Sequence, residues 1–192
     1  MDTTYPKPET LIGAALAPLD WTRSMGLVVA FSLLTALAAQ IVIPIGLVPI
    51  TGQTFAVLLT GALLGSRLGA MAMIVYLIEG ASGLPFFHSG TGGIQVILGP
   101  TGGYLVAFPA AAFITGAFAE HGWDKRFHTA VAAMAIGSVL IMLSGWAWLS
   151  QFMPAAVAFR AGVRPFIIGD IVKILLAATA LPLGWALLQR QR

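Results

Sequence analysis

No cysteine occurs anywhere in the 192 residues, which excludes disulfides, thiolate nucleophiles and cysteine-ligated metals. Charge is almost as scarce. Asp, Glu, Lys and Arg together make up 9% of the chain, against about 25% in ordinary soluble domains, which argues against a separate solvent-facing catalytic module. No Gly-Lys-Ser/Thr ending closes a glycine-rich stretch, so the chain lacks the phosphate-cradling loop of P-loop ATPases. GPTGGYL, residues 99–105, has the glycines without the lysine. There is no HExxH pair either, and His88, His121 and His128 are dispersed, so no metal or other cofactor is expected.

What remains is apolar. The chain is 58% hydrophobic with a mean hydropathy of +0.92, which describes an all-α protein embedded in a lipid bilayer. The net charge of +3 does not point to nucleic acid, because the basic residues stand singly at the ends of apolar runs. Membrane topology accounts for them better.

Six transmembrane helices are expected. Residues 25–43 form a first span close to the ~20 residues required, broken after it by Pro44, Gly46 and Pro49. Residues 53–64 and 68–78 form two short helices of a hairpin, hinged at Gly65-Ser66-Arg67. A fourth helix covers 104–119, with a kink at Pro109, and the polar stretch EHGWDKRFH separates it from a fifth over 129–152. A loop carrying Arg160 and Arg164 leads into the last, 165–188. Residues 1–24 are expected to be a polar cytoplasmic tail without the pattern of a signal peptide, with an interfacial turn around residues 11–16, and residues 25–192 a single membrane domain.

With the N-terminus in the cytoplasm, Lys7, Arg23, Arg67, Lys125, Arg126, Arg190 and Arg192 fall on the inner side and only Arg160 and Arg164 on the outer. This agrees with the positive-inside rule. Two Gly/Pro-rich stretches, residues 43–54 and 79–103, then lie outside, the second with eight glycines. Irregular backbone at membrane depth is tolerated where it lines a cavity.

The last helix carries Asp170 and Lys173 in PFIIGDIVKILLAA. Ionised groups at membrane depth are expensive and usually face a bundle interior, a ligand or an ion pathway. Three residues apart, both side chains share one helix face. Together they suit a ligand with N–H donors and an acidic tail, although an internal ion pair that merely orients the helix remains the alternative. From location alone, Thr51 and Gln53 of the first loop, Glu79 at the end of the hairpin, His88, and Tyr104 after the glycine turn are further candidates to line a pocket. Trp146, Trp148, Phe86 and Phe87 fit an interfacial belt equally well. In the first helix, Gly26 and Ala30 make a small-xxx-small pair and Ala36, Ala38 and Ala39 add small surface, a face suited to close helix approach.

VPITGQTFAVLLTGALLGSRLGA, YLIEGASGLPFF, GPTGGYLVAFPAAAFITG and the final DIVK together resemble the BioY family, the biotin-binding S components of energy-coupling-factor (ECF) transporters. The resemblance implies a six-helix S-component fold in a bacterial inner membrane, with both termini cytoplasmic. It implies high-affinity capture of biotin from outside, with biotin as transported ligand. Energy would come from an ECF transmembrane coupling protein and cytoplasmic ATPase subunits, in keeping with the missing nucleotide loop. Asp170 is then expected to accept from the ureido ring and Lys173 to pair with the valerate carboxylate. Gly26, Ala30, Ala36 and Ala39 would pack on the coupling protein. A stand-alone proton-coupled carrier for a small carboxylate or vitamin is the competing reading, through Asp170, Glu79 or Lys173. A membrane enzyme is disfavoured, because no nucleophile, metal set or oxyanion device accompanies the acid and base.

Overall fold

The computed structural model describes residues 10–16 and 19–190. The expected tail over residues 1–9, including Lys7, and the terminal Arg192 lie outside the described residues. Ten α-helices are present among the described residues. Four reach the length and apolarity of a membrane span: Trp21–Ala38, Gly102–Glu120 taken through a kink, Phe127–Leu149 and Phe166–Arg190.

Helix α1 (Leu11–Leu16) is short and lays Leu11 against Gly184. Helix α2 (Trp21–Ala38) starts before residue 25 because Asp20 caps it, its carboxylate accepting the Arg23 N–H at 2.7 Å. It stops short of residue 43 because the chain turns into a two-stranded hairpin, β1 (Val42–Ile43) and β2 (Ile50–Thr51), antiparallel with Val42 opposite Thr51. Helix α3 (Gln53–Leu64) and helix α4 (Ser66–Ala81) form the expected hairpin around Gly65, whose φ of +88° few other residues adopt. The Glu120 carboxylate caps the start of α4, accepting the Ser66 N–H at 2.7 Å and its hydroxyl at 2.9 Å.

Residues 82–101 contain a 3-10 turn at His88–Gly90 and helix α5 (Ile94–Leu98). Helices α6 (Gly102–Val106) and α7 (Phe108–Glu120) are the expected fourth span, divided at Ala107. The break falls before Pro109 because a proline ring collides with the carbonyl four residues earlier. After a 3-10 turn, Trp123–Lys125, come α8 (Phe127–Leu149), α9 (Ala155–Gly162) and α10 (Phe166–Arg190). The stretch expected as a loop with Arg160 therefore holds a helix. Trp146 donates to the Ala155 carbonyl at 3.0 Å, and Phe159 meets the Trp146 ring edge-on.

Helices α3, α4 and α7 form the tightest part of the bundle. Gly61 lies on the Ala112 backbone, Gly69 on Gly61, and Gly116 on the Gly65–Ser66 peptide. Small residues drive such packing where lipid removes most of the hydrophobic drive between helices. Tyr76, Phe87, Phe108, Val57 and Met73 are fully buried beside them. Outward, α2 and α10 expose Leu33, Leu37, Ile168, Ile171, Leu176 and Leu187, as helices bordering lipid do.

Chain direction sorts the ends. The 42–51 hairpin, the 82–101 segment, α9 and the start of α10 gather at one end, with Arg160 and Arg164. Arg23, Arg67, Lys125, Arg126 and Arg190 stand at the other.

Candidate ligand-binding site

Helix α10 supplies the charges. Lys173 Nζ sits 3.3 Å from Asp170 Oδ1, one turn away, with both side chains largely shielded. The ammonium also donates to the Thr51 carbonyl at 2.9 Å and to Thr54 Oγ1 at 2.8 Å. Its three N–H groups are thus all engaged. Asp170 accepts in addition from Ser138 Oγ of α8 at 2.6 Å. A buried charge of either sign is costly unless paired and hydrogen-bonded, and this network meets that condition.

Lys173 borders a cavity with about 470 Å³ of empty space, its open mouth included. Thr51, Gln53, Thr54, His88 and Thr101 add polar groups, and Tyr104, Phe108, Phe166, Met142 and Val48 supply apolar wall. Mostly apolar walls with a few convergent polar groups are the pattern of small-molecule sites. Burial holds the His88 imidazole below its ordinary pKa of 6.5, so the neutral ring offers one donor and one acceptor.

Gln53 is held in one orientation. Its Oε1 accepts from Thr51 Oγ1 at 2.9 Å and its Nε2 donates to Tyr76 Oη at 2.6 Å. Tyr76 in turn donates to the Phe86 carbonyl at 3.0 Å, so the phenolic proton is already spent. Tyr104 presents its ring rather than its hydroxyl. The hydroxyl donates to the Gly162 carbonyl at 2.7 Å, while the ring stacks on Phe166 with centroids 6.2 Å apart. Gly145 leaves the room that ring needs and Gly162 the room its hydroxyl needs, since a Cβ at either would collide there.

Five of the sequence candidates, Thr51, Gln53, His88, Tyr104 and Lys173, therefore line one cavity. Asp170 stands behind Lys173 and faces a lateral groove between α8 and α10, with Ser138 and Ile167. Glu79 does not border the cavity, and its Oε2 is buried at the end of α4 without a hydrogen-bond partner. Sequence reasoning missed Thr54, Thr101, Met142, Phe166 and Ser138. Thr54 could have been found, one residue beyond Gln53 at the mouth of the same helix. Of the small residues in α2 and at its C-terminal cap, Gly26 and Ala30 are exposed, whereas Ala36 and Ala39 are buried in the chain's own core. Among the described residues no cluster of His, Asp and Glu could hold a metal ion.

Fold and site together define a multi-pass α-helical membrane protein with a partly polar cavity at one end of its bundle. Residues 8–190 match the BioY family, and the chain belongs to it. The probable biotin transporter BioY of Pyrococcus horikoshii is 46% identical over 159 residues, covering 82% of this chain and 91% of its own. The biotin transporter BioY of Thermotoga maritima is 36% identical, covering 77% of this chain and 87% of its own. Among solved structures, the S-component for biotin from an ECF-type ABC transporter superposes with a TM-score of 0.76 at 25% identity, covering 84% of this chain and 89% of that one.

Proposed function

We propose that this chain is the biotin-capturing S component of an ECF-type transporter, embedded in a bacterial inner membrane. Six segments cross the bilayer, namely α2, α3, α4, α6 with α7, α8 and α10, and both termini lie in the cytoplasm. The cavity end, which carries fewer basic groups, faces outward.

The observation that carries this reading is Lys173, a charged ammonium on the wall of an otherwise largely apolar cavity and one turn from Asp170. Biotin offers ring N–H donors at one end and a carboxylate at the other. Lys173 holds the carboxylate by a charge-assisted bond. Asp170 accepts from the ureido ring, which requires the ion pair to open as the ligand enters. The contact to Asp170 is the longest of the three made by the ammonium, and the cost of separating these shielded charges is offset by the ligand's own carboxylate and ring N–H groups. The flexible lysine arm then carries its charge toward the ligand's tail. Tyr104, Phe108 and Phe166 wall the bicyclic ring and aliphatic chain, and Gln53, Thr51 and His88 supply neutral hydrogen bonds. Glu79 stays a candidate only if its end of α4 shifts on binding.

Transport energy comes from partners, a transmembrane coupling protein and cytoplasmic ATPases. The exposed face of α2 around Gly26 and Ala30 offers the coupling protein a close approach. Calorimetry of the detergent-purified chain against biotin and a panel of other vitamins tests the reading. Saturable binding of biotin alone is expected, and equal heats across the panel, or none with biotin, would overturn it.

A further inference from the structure

The cavity is walled by helices except where three irregular segments meet it: the 42–51 hairpin at Val48, Pro49 and Thr51, the 85–91 turn at His88, and Thr101. On the binding reading above, these are the parts of the wall that a ligand would pass. Lys173 ties the hairpin down through the Thr51 carbonyl. What ties the turn down is a residue outside the cavity.

The turn is closed on itself, with the Phe87 N–H donating to the Thr91 carbonyl at 2.9 Å and Thr91 Oγ1 to the His88 carbonyl at 2.8 Å. Ser89 at its tip has a φ of +56°, an unfavourable conformation for a residue with a Cβ, so the turn needs outside support to keep its shape. Inside, Phe87 plugs the space beside Gly80, and Tyr76 takes the Phe86 carbonyl. Outside, the Gln40 amide just beyond α2 grips both limbs. Its Nε2 donates to the Phe87 carbonyl at 3.2 Å and reaches the Pro85 carbonyl at 3.5 Å, while its Oε1 accepts the Gly90 N–H at 2.8 Å. The same Nε2 is anchored to its own helix through the Ala36 carbonyl at 3.0 Å. The carbonyls at 86 and 87 are thus both claimed by side chains, Tyr76 of α4 and Gln40 just past α2. Apolar residues fill most of the end of α2, and none of them could satisfy these groups.

We propose that Gln40 is a positioning residue of the binding site: by pinning the 85–91 turn that carries His88, it sets how long a captured ligand stays. The effect on ligand rests on the binding reading above, whereas the pinning does not. Gln40 is exposed and outside the core, so its replacement opens no cavity there.

The test uses the whole chain in detergent, as wild type, Gln40→Ala and Gln40→Met. Hydrogen exchange without ligand reads the pin directly. The Gly90 amide and its neighbours should exchange about tenfold faster in both variants, the scale of one lost hydrogen bond, with α7 amides unchanged. Biotin dissociation, followed by chase of labelled ligand, should quicken about tenfold, with association altered less than about twofold, since changes at one site act mostly on dissociation. Unchanged exchange at Gly90 would overturn the pin. Faster exchange with unchanged dissociation would overturn its role in residence. Exchange quickening equally in α7, with a lowered unfolding midpoint, would reduce Gln40 to general stability and also overturn the proposal. Failure of the wild type to bind biotin would end the transport reading, and the exchange data would still decide whether Gln40 pins the turn.

Discussion

Asp170 and Asp124 are hidden to nearly the same degree, with 6% and 2% of their surface exposed, in opposite halves of the same bundle. Asp170 has an ammonium 3.3 Å away and a hydroxyl at 2.6 Å, and its lysine partner faces a cavity. Asp124 has one oxygen on the Trp185 indole N–H at 2.6 Å and the other buried without a partner, while Lys125 spends its charge over the Trp185 ring, 4.3 Å from the centroid. None of the five main cavities among the described residues is lined by Asp124. Burial of an acid is therefore no mark of a site by itself. What separates the two is whether the compensating group also confronts open space.

The sharpest way to test that contrast is to remove the compensating cation. Lys173→Ala should weaken biotin about 100-fold and biotinamide less than about tenfold, since only biotin carries the tail charge and hydrogen bonds to charged groups are worth about 1.5–3 kcal/mol. Calorimetry with both ligands reads the difference, and equal losses would break the assignment of Lys173 to the carboxylate. Next in size is Asp170→Asn, which keeps the shape but turns half the acceptor capacity into a donor. Biotin affinity should fall by about tenfold to thirtyfold, and unchanged affinity would put Asp170 on the same footing as Asp124.

The smallest effect is expected at the other acid. Burial lifts the Asp124 carboxyl above its ordinary 3.8, against the opposing pull of Trp185 and Lys125. A raised folded pKa means that the folded chain holds this proton more tightly than the unfolded one. The associated stability is therefore full below 3.8 and is lost as pH rises through the folded value. Asp124→Asn keeps an acceptor for Trp185 and removes the charge. It should raise the unfolding midpoint by about 2–4 °C near neutral pH, leave it unchanged near pH 3.5, and hold biotin affinity within about twofold. A loss of binding instead would erase the distinction between the two acids.

The contrast also shows what the amino-acid order reveals. Asp170 and Lys173 stand out because the residues around them are apolar, so a charge there demands an explanation. Asp124 sits in EHGWDKRFH, a stretch that reads as a solvated loop, and its partner Trp185 lies 61 residues further along. No local pattern could have linked them. The hinge at Gly65 and the break near Pro109 were legible because glycine and proline act on their own backbone. Helix α9 was not, because it is eight residues long and carries Arg160 among its alanines. Ser138 is similar, a lone hydroxyl in α8 whose meaning depends on the helix facing it.

The cap that Glu120 places on α4 has a consequence for how the bundle is held together. It fastens the end of α7 to the junction between α3 and α4, where glycines already bring the backbones together. Close glycine contacts and the Glu120 cap thus hold these three helices directly against one another. By contrast, the loops at the cavity end are held to α10 and to the end of α2 by a few hydrogen bonds, through Lys173 to the 42–51 hairpin and through Gln40 to the 85–91 turn. Gln40 and Lys173 stand at those two seams.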